Sequence, residues 1–392
     1  MRILFLTTQL PYPPKSGGQI KSWKLLEHWT QEHELTLVHP LKDVDHEQLQ
    51  AFNEEGLKLK GHHYETISRP RSAFNLFKSY LGHTSLNVYR NYSKTLEKRI
   101  HSLIEDQDVI FIDHYELGQY VPEDLQAKVI LHEHNAEYVM WSRLAEIEEN
   151  PIKKVILKLE SKRIAKAERR YAQNSTQVWA APNDCIELEK IGVPREKLRT
   201  TYHLGEDFMM DAPDIQFSMT EKRILFIGTL TWEANVDGLL WFFKEIWPEL
   251  KKDETVRLDI IGRNPDSRLL QATSGDNQVN FLGFMQELEP FYVRSRVFIV
   301  PLRFGSGIKV KLLNAMYRGI PTVTTEIGTE GLNVTDAKEL FQCSDPEVFA
   351  DRIKKLLRDE LMWDAMRDAS RIKAKEYTWK SLLSSHDGHL RQ

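Results

Sequence analysis

The sequence holds only two cysteines in 392 residues, Cys185 and Cys343, in different halves of the chain. That excludes a disulfide framework and a cysteine-rich zinc site, and it fits a reducing compartment. No run approaches the ~20 consecutive apolar residues a bilayer-spanning helix needs. The apolar stretch 3–6 is only a strand long, runs into Pro11, Pro13 and Pro14, and lacks a small-residue cleavage site. It reads as a first β-strand and not as a signal peptide. Internal repeats, low-complexity tracts and a Gly-x-x-x-x-Gly-Lys-[Ser/Thr] phosphate loop are all missing. The net charge of −4 gives no general pull toward polyanions, and no nucleic-acid module is recognisable.

What is present is an ordinary globular composition, 41% hydrophobic and 28% charged. The length calls for two domains of roughly 200 residues each. Short apolar runs at 2–7, 34–39, 109–112, 129–131 and 177–180 alternate with helical stretches. One opens at Gly17-Gly18 and carries Trp23, Leu25, Leu26 and Trp29; two longer ones cover about 86–105 and 150–173. Alternating strands and helices predict a parallel sheet with right-handed crossovers. The same logic restarts at 223–227, a strand ending in Gly228. A helix over about 236–250 and strands at 257–261, 279–282, 297–301, 322–324 and 339–341 follow. Asp, Pro and Met without periodicity mark a linker between 204 and 220. The expectation is an α/β protein of two doubly wound domains, 1–204 and 205–377, with a last helix at about 378–392 packing back on the first. Ligands of such sheets bind at the carboxyl ends of the strands, which predicts a cleft between facing domains.

The strongest local signal is Pro301-Leu302-Arg303-Phe304-Gly305-Ser306-Gly307-Ile308-Lys309-Val310-Lys311-Leu312-Leu313-Asn314-Ala315-Met316. A buried strand delivers the chain to two glycines, and a helix starts directly after them. Glycines let the backbone approach a ligand, and a helix N-terminus offers free N–H groups with partial positive charge. Lys309 adds a full charge, so a pyrophosphate site is one reading. A plain strand-to-helix turn with a solvated lysine is the other.

Residues 301–332 resemble the donor-site region of glycosyltransferase family 4, retaining enzymes of the GT-B fold with two Rossmann-like domains facing across a cleft. The resemblance rests on the Gly-Ser-Gly-x-Lys-x-Lys-x-Leu helix start, on Arg318-Gly319-Ile320-Pro321-Thr322-Val323-Thr324-Thr325 and on Gly328-Thr329-Glu330-Gly331-Leu332. It extends to Pro-Tyr-Pro-Pro-Lys-Ser-Gly-Gly near the N-terminus, to His132-Glu133-His134-Asn135-Ala136-Glu137, and to Phe226-Ile227-Gly228-Thr229-Leu230 with Asn235-Val236-Asp237. It implies that His134 and Lys309 are catalytic, His134 beside the transferred sugar. It implies donor contacts from Gly17, Gly18, Gly228, Gly305, Ser306, Gly307, Asn314, Glu330, Gly331 and Leu332. Each has a bland counterpart: a satisfied loop histidine, a helix-opening turn, a surface carboxylate.

Departures from the family pattern bear on activity. Two glutamates usual in the family fall on Ser306 and Asn314, and two cations usual near the first donor-domain strand fall on Thr229 and Asn235. Lys309 must then carry more of the leaving diphosphate, with Arg263 or Arg303 as candidate helpers. No cofactor and no metal are implied. Asp43-Val44-Asp45 and Asp106-Gln107-Asp108 have Asp-x-Asp spacing but lack the flanks of a metal-dependent transferase. The basic segments 69–99 and 150–173 read first as solvated helix faces and second as a docking face for an anionic membrane. The expected partners are a nucleotide sugar and a glycan or lipid-linked acceptor, with no nucleic acid. The expected location is cytoplasmic, with peripheral contact at the inner face of the membrane as the second reading. Two functions stay open: a retaining glycosyltransferase of surface-polysaccharide or glycolipid assembly, and a non-catalytic GT-B protein that binds a partner glycosyltransferase or glycan.

Overall fold

Apolar residues that can be buried on both faces favour parallel strands, and the buried runs of this chain are arranged that way. The first seven strands are β1 (Arg2–Thr7), β2 (Glu34–Leu41), β3 (Gly61–Thr66), β4 (Val109–Asp113), β5 (Lys128–His132), β6 (Gln177–Ala180) and β7 (Leu198–Thr200). They form one all-parallel sheet in the order β3-β2-β1-β4-β5-β6-β7. The strand order reverses between β1 and β4, which makes their carboxyl ends the topological switch point. The other six strands are β8 (Glu221–Ile227), β9 (Arg257–Ile261), β10 (Val279–Gly283), β11 (Ser295–Val300), β12 (Thr322–Thr324) and β13 (Phe341–Gln342). Their sheet, again all parallel, runs β10-β9-β8-β11-β12-β13, with its switch point between β8 and β11. The computed structural model describes the chain apart from Lys15, Ser16, residues 43–45, His83, Glu149, Ser306 and Gln392.

The chain divides into two units, Met1–His203 with Leu383–Gln392, and Leu204–Leu382. In the first unit, one face of the sheet packs Leu4, Leu6, Ile110, Ile112 and Tyr115, and the other packs Phe5, Trp29, Phe111 and Trp179. The returning segment joins the second face. Leu390 is part of that core, and the His386 ring lies 4.2 Å from Trp179.

Local differences from expectation have physical causes. The single helix expected over 86–105 is two, Leu86–Arg90 and Lys94–Ile104. Ser85 and Ser93 each cap one of them by accepting a backbone N–H, which favours a restart over continuation. The helix expected over 236–250 is Glu233–Trp241, a π-helical turn at Phe242–Ile246, and Trp247–Leu250. Pro248 lacks an N–H and crowds the carbonyl four residues back, which widens the turn before it. The strand expected at 339–341 is the shorter Phe341–Gln342.

The helices Ala73–Leu81 and Pro151–Asn174 leave large apolar side chains in solvent. Phe74, Phe77 and Leu81 are 63%, 62% and 66% exposed, and Ile152 and Val155 are 72% and 57% exposed. Arg163 joins the two helices: its guanidinium lies 3.8 Å from the Tyr80 ring and donates to the Ser79 carbonyl at 2.7 Å. Among the described residues, no helix is long and apolar enough to cross a membrane.

Candidate active site

In the second unit, the segment after β11 reaches the helix Val310–Arg318 through Gly305 at φ 145° and Gly307 at φ 70°. These values favour glycine and let the turn stay tight. Lys309 is the N-cap residue and is buried, its Nζ donating to the Gly307 carbonyl at 2.5 Å and standing 3.6 Å from the Glu330 carboxylate. Gly331, at φ 85°, lies against Ile308, so the expected loops 305–309 and 330–332 are neighbours. Leu332 holds its turn by donating to the Thr329 carbonyl at 2.9 Å. Ser306 lies outside the described residues.

The sequence reading missed Lys311. Its ammonium is buried at the switch point, donates to Asn235 Oδ1 at 2.8 Å and lies 4.3 Å from the Phe226 ring centroid. A Cβ on Gly228 would stand 2.5 Å from that ammonium and 3.0 Å from Asn235 Nδ2, so Gly228 is the residue that makes room for it. Burial, and then the Lys309 charge, pull the Lys311 pKa from near 10.5 down to about 7. Thr229 and Asn235 stand where two cations are usual in the family, and Lys311 brings an ammonium to this place from the helix Val310–Arg318, held by Asn235. Each candidate helper has a neighbour of its own. Arg303 donates to Asp237 at 2.9 Å, and Arg263 stacks 3.8 Å over Phe284. Asn314, expected near a ribose, uses Oδ1 to accept the Glu206 backbone N–H at 2.9 Å.

In the first unit, the carboxyl ends of β4 and β5 bring four polar side chains together. Asp113 Oδ1 accepts from His132 Nδ1 and His134 Nε2, both at 2.7 Å, and Asp113 Oδ2 accepts from Ser22 at 2.6 Å. Burial alone would push the Asp113 carboxyl up. The neighbouring His134 and His114, with hydrogen bonds from His132 and His134, outweigh it and hold the carboxyl well below its usual range. Burial lowers the His134 pKa to about 4, so near neutral pH the imidazole is neutral. Donation from Nε2 leaves a lone pair on Nδ1, a buried atom with no partner among the described residues, and a Cβ on Gly18 would stand 3.2 Å from it. His114 stacks on His134 at 4.0 Å, and His203 donates to the His134 carbonyl at 3.2 Å. Gly17 starts the helix Gly17–Trp29, with open space at its Cβ position. In that helix, burial brings the buried Lys21 ammonium down to about 7, against the pull of Asp113 and Asp184.

Asp113, His132 and His134 also form a group able to hold a metal, with ligand atoms within 4.8 Å of one another. In this arrangement the ring nitrogens that face Asp113 are used as donors to it, and the Lys21 charge that lowers His132 opposes a second cation. Of the Asp-x-Asp motifs, Asp43 to Asp45 lie outside the described residues, and Asp108 accepts the Arg2 backbone N–H at 2.7 Å.

Residues 221–359, the segment that contains Gly228, Lys309 and Lys311, match the family model described as glycosyl transferases group 1. A Klebsiella pneumoniae protein of 44.6 kDa, described by its place in the cps region, is 24% identical over 361 residues, 90% of each chain. The crystal structure of Anabaena HepE in complex with UDP and glucose is similar at a TM-score of 0.67 and 12% identity, covering 100% of this chain and 99% of that one. A Staphylococcus aureus TarM structure, in complex with Fondaparinux, alpha-GlcNAc-glycerol and UDP, gives 0.65 and 12%, covering 100% of both. With two all-parallel doubly wound sheets, the chain has the GT-B fold.

Proposed function

We propose that the chain is a retaining glycosyltransferase of family 4 that moves a sugar from a nucleotide-diphosphate donor onto a glycan or lipid-linked acceptor in cell-surface polysaccharide or glycolipid assembly. One observation carries the reading: two lysine ammonium groups, from the buried Lys309 and the half-buried Lys311, meet a helix N-terminus beside Gly305 and Gly307 at the β8/β11 switch point. Glycosyl transfer passes through an oxocarbenium-like state while negative charge grows on the leaving diphosphate. Cations and helix-end N–H groups fixed in a low-dielectric site neutralise that charge without reorganising. Gly228, Glu330, Gly331 and Leu332 line the same donor site. His134, oriented by Asp113, offers Nδ1 as acceptor for a sugar hydroxyl. The reading requires no cofactor beyond the donor. The UDP and glucose bound to HepE and the cps-region relative support it.

The same proposal places the protein on the inner face of an anionic membrane. Phe74, Phe77, Leu81, Ile152 and Val155 would enter the headgroup layer, and Lys78, Lys153, Lys154 and Lys158 would meet its charge.

The test is thermal stability of the protein against UDP, GDP, ADP, CMP and dTDP, with the Lys309→Ala variant in parallel. A ligand at 100 times its dissociation constant adds about 2.7 kcal/mol. A shift with one nucleotide that disappears in Lys309→Ala supports the donor site. No shift with any of them moves the reading to a non-catalytic GT-B protein that binds a partner transferase or glycan, in which the replaced Thr229, Asn235 and Asn314 are losses.

A further inference from the structure

The first unit holds a cavity of about 360 Å³ at the carboxyl ends of β1, β2 and β3, the edge where open α/β sheets bind ligands. Arg69, Arg71 and Arg90 line it together with Asn87, Glu116 and Glu137. Among the described residues, none of the three arginines forms an ion pair. Two are nevertheless fixed: Arg69 donates to the Tyr89 carbonyl at 2.7 Å and stacks 4.7 Å from the Tyr89 ring, and Arg90 Nε donates to the Arg69 carbonyl at 2.7 Å. Arg71 lies 5.6 Å over Trp141. Guanidinium groups are thus gathered on one cavity and oriented by carbonyls and rings, while their outer N–H groups remain for a ligand. Their mutual repulsion is real, since burial and then the Arg71 charge lower the Arg90 pKa. The Glu116 carboxyl works against that repulsion at Arg90. Burial pushes Glu116 up to about 7, so near neutral pH it is protonated about half the time and can then donate to a hydroxyl, and burial raises Glu137 as well.

We propose that this cavity binds an anionic group of the acceptor, a carboxylate or a phosphate on a sugar, held by Arg69, Arg71 and Arg90 with Asn87, Glu116 and Glu137 meeting the sugar hydroxyls. Planar guanidinium forks match carboxylate and phosphate oxygens two at a time. The volume is at the small end of ligand pockets, about 300–1,000 Å³, which suits one sugar residue and not a long glycan. That the ligand is the acceptor rests on the transferase reading; that the cavity takes a sugar-borne anion does not.

Calorimetric titration of the full chain tests it with three probes: methyl glucuronoside, glucose 1-phosphate and neutral methyl glucoside. The expected result is binding of at least one anionic probe, about tenfold or more tighter than the neutral one, and a loss of about tenfold in Arg71→Gln and in Arg90→Gln. Preference for the glucuronoside identifies a uronic acid as the acceptor class, and preference for the sugar phosphate identifies a phosphate-linked one. Arg71→Lys, which keeps the charge and loses the fork, falls between wild type and Arg71→Gln. Equal affinity for charged and neutral probes, no binding of either anion, or undiminished binding in the Arg71→Gln/Arg90→Gln double variant overturns the proposal. Circular dichroism and nucleotide binding, measured in the same variants, establish that they are folded. Failure of the nucleotides to bind with the anions still bound overturns the transferase reading and leaves this cavity standing; the converse overturns the cavity alone.

Discussion

Replacing Lys311 by Met should stabilise the second unit while weakening donor binding. The lysine is half-buried, its ammonium set between Asn235 and the Phe226 ring, and its pKa falls from near 10.5 to about 7 on folding. A lysine with a depressed folded pKa destabilises the fold at low and neutral pH, and the cost fades as pH rises toward the unfolded value. At pH 7 the unfolded chain is protonated and the folded one about half so, which makes the cost about 4 kcal/mol at 1.36 kcal/mol per pKa unit. Methionine fills the same space beside Phe226 but strands Asn235 Oδ1, which takes back about 1 kcal/mol. A net gain of about 2–3 kcal/mol remains, or roughly 5–10 °C for a unit of this size. At pH 10 the residual cost and the lost hydrogen bond nearly cancel, so the two proteins should melt together. Differential scanning calorimetry at pH 7, 8.5 and 10 reads the gap directly. A variant no more stable at pH 7, or a gap constant to pH 10, would refute a buried ammonium held at the switch point. The same lysine sets a pH dependence of binding. A bound diphosphate raises its pKa, so affinity should fall above pH 7 by up to about tenfold per pH unit in wild type, and not in Lys311→Met.

Asp113→Asn keeps the shape of the His132–His134 cluster but removes its charge; kcat should fall on the order of 10²-fold with nucleotide affinity unchanged, and an unaltered kcat would make the cluster structural. Gly228→Ala puts a methyl group 2.5 Å from the Lys311 ammonium, the far end of a flexible side chain, so it should displace the ammonium and lose nucleotide binding with little change in stability, read by titration and calorimetry. Glu116, with its folded pKa raised to about 7, holds its proton more tightly folded than unfolded, so wild type should lose stability relative to Glu116→Gln between pH 4.5 and 7 and run parallel above it. Phe74→Ser/Phe77→Ser should abolish flotation with vesicles rich in phosphatidylglycerol without lowering nucleotide affinity; flotation equal to wild type would remove the membrane contact.

Most of both sheets is legible in the sequence because their strands are buried on both faces and read as continuous apolar runs. β3 is not, since Gly61-His62-His63-Tyr64-Glu65-Thr66 is a half-buried edge strand whose composition gives no core signal. β7, three residues long at the opposite edge, escapes for the same reason. In the site, Lys309 is found from its place after two glycines. Lys311 is two residues further on and looks like one more helix lysine; only the approach of Phe226 and Asn235 from other elements buries it. Asp113 ends an ordinary apolar strand, and nothing local announces that Ser22, His132 and His134 converge on it. His134 itself is singled out by resemblance, and periodicity would not have found it.

The return of Leu383–Gln392 into the first unit has a consequence for biosynthesis. His386 bonds Thr201 at 2.9 Å, and His28 bonds Asp387 at 2.8 Å, so these late residues finish a core begun by the first strand. Unit one therefore leaves the ribosome with an open seam beside Trp29 and Trp179. At roughly 5–20 residues per second, the intervening unit takes on the order of 10–35 s to translate. During that interval the nascent first half displays unfilled aromatic surface to which a chaperone can bind. A gene cut after His203 would make that transient state permanent.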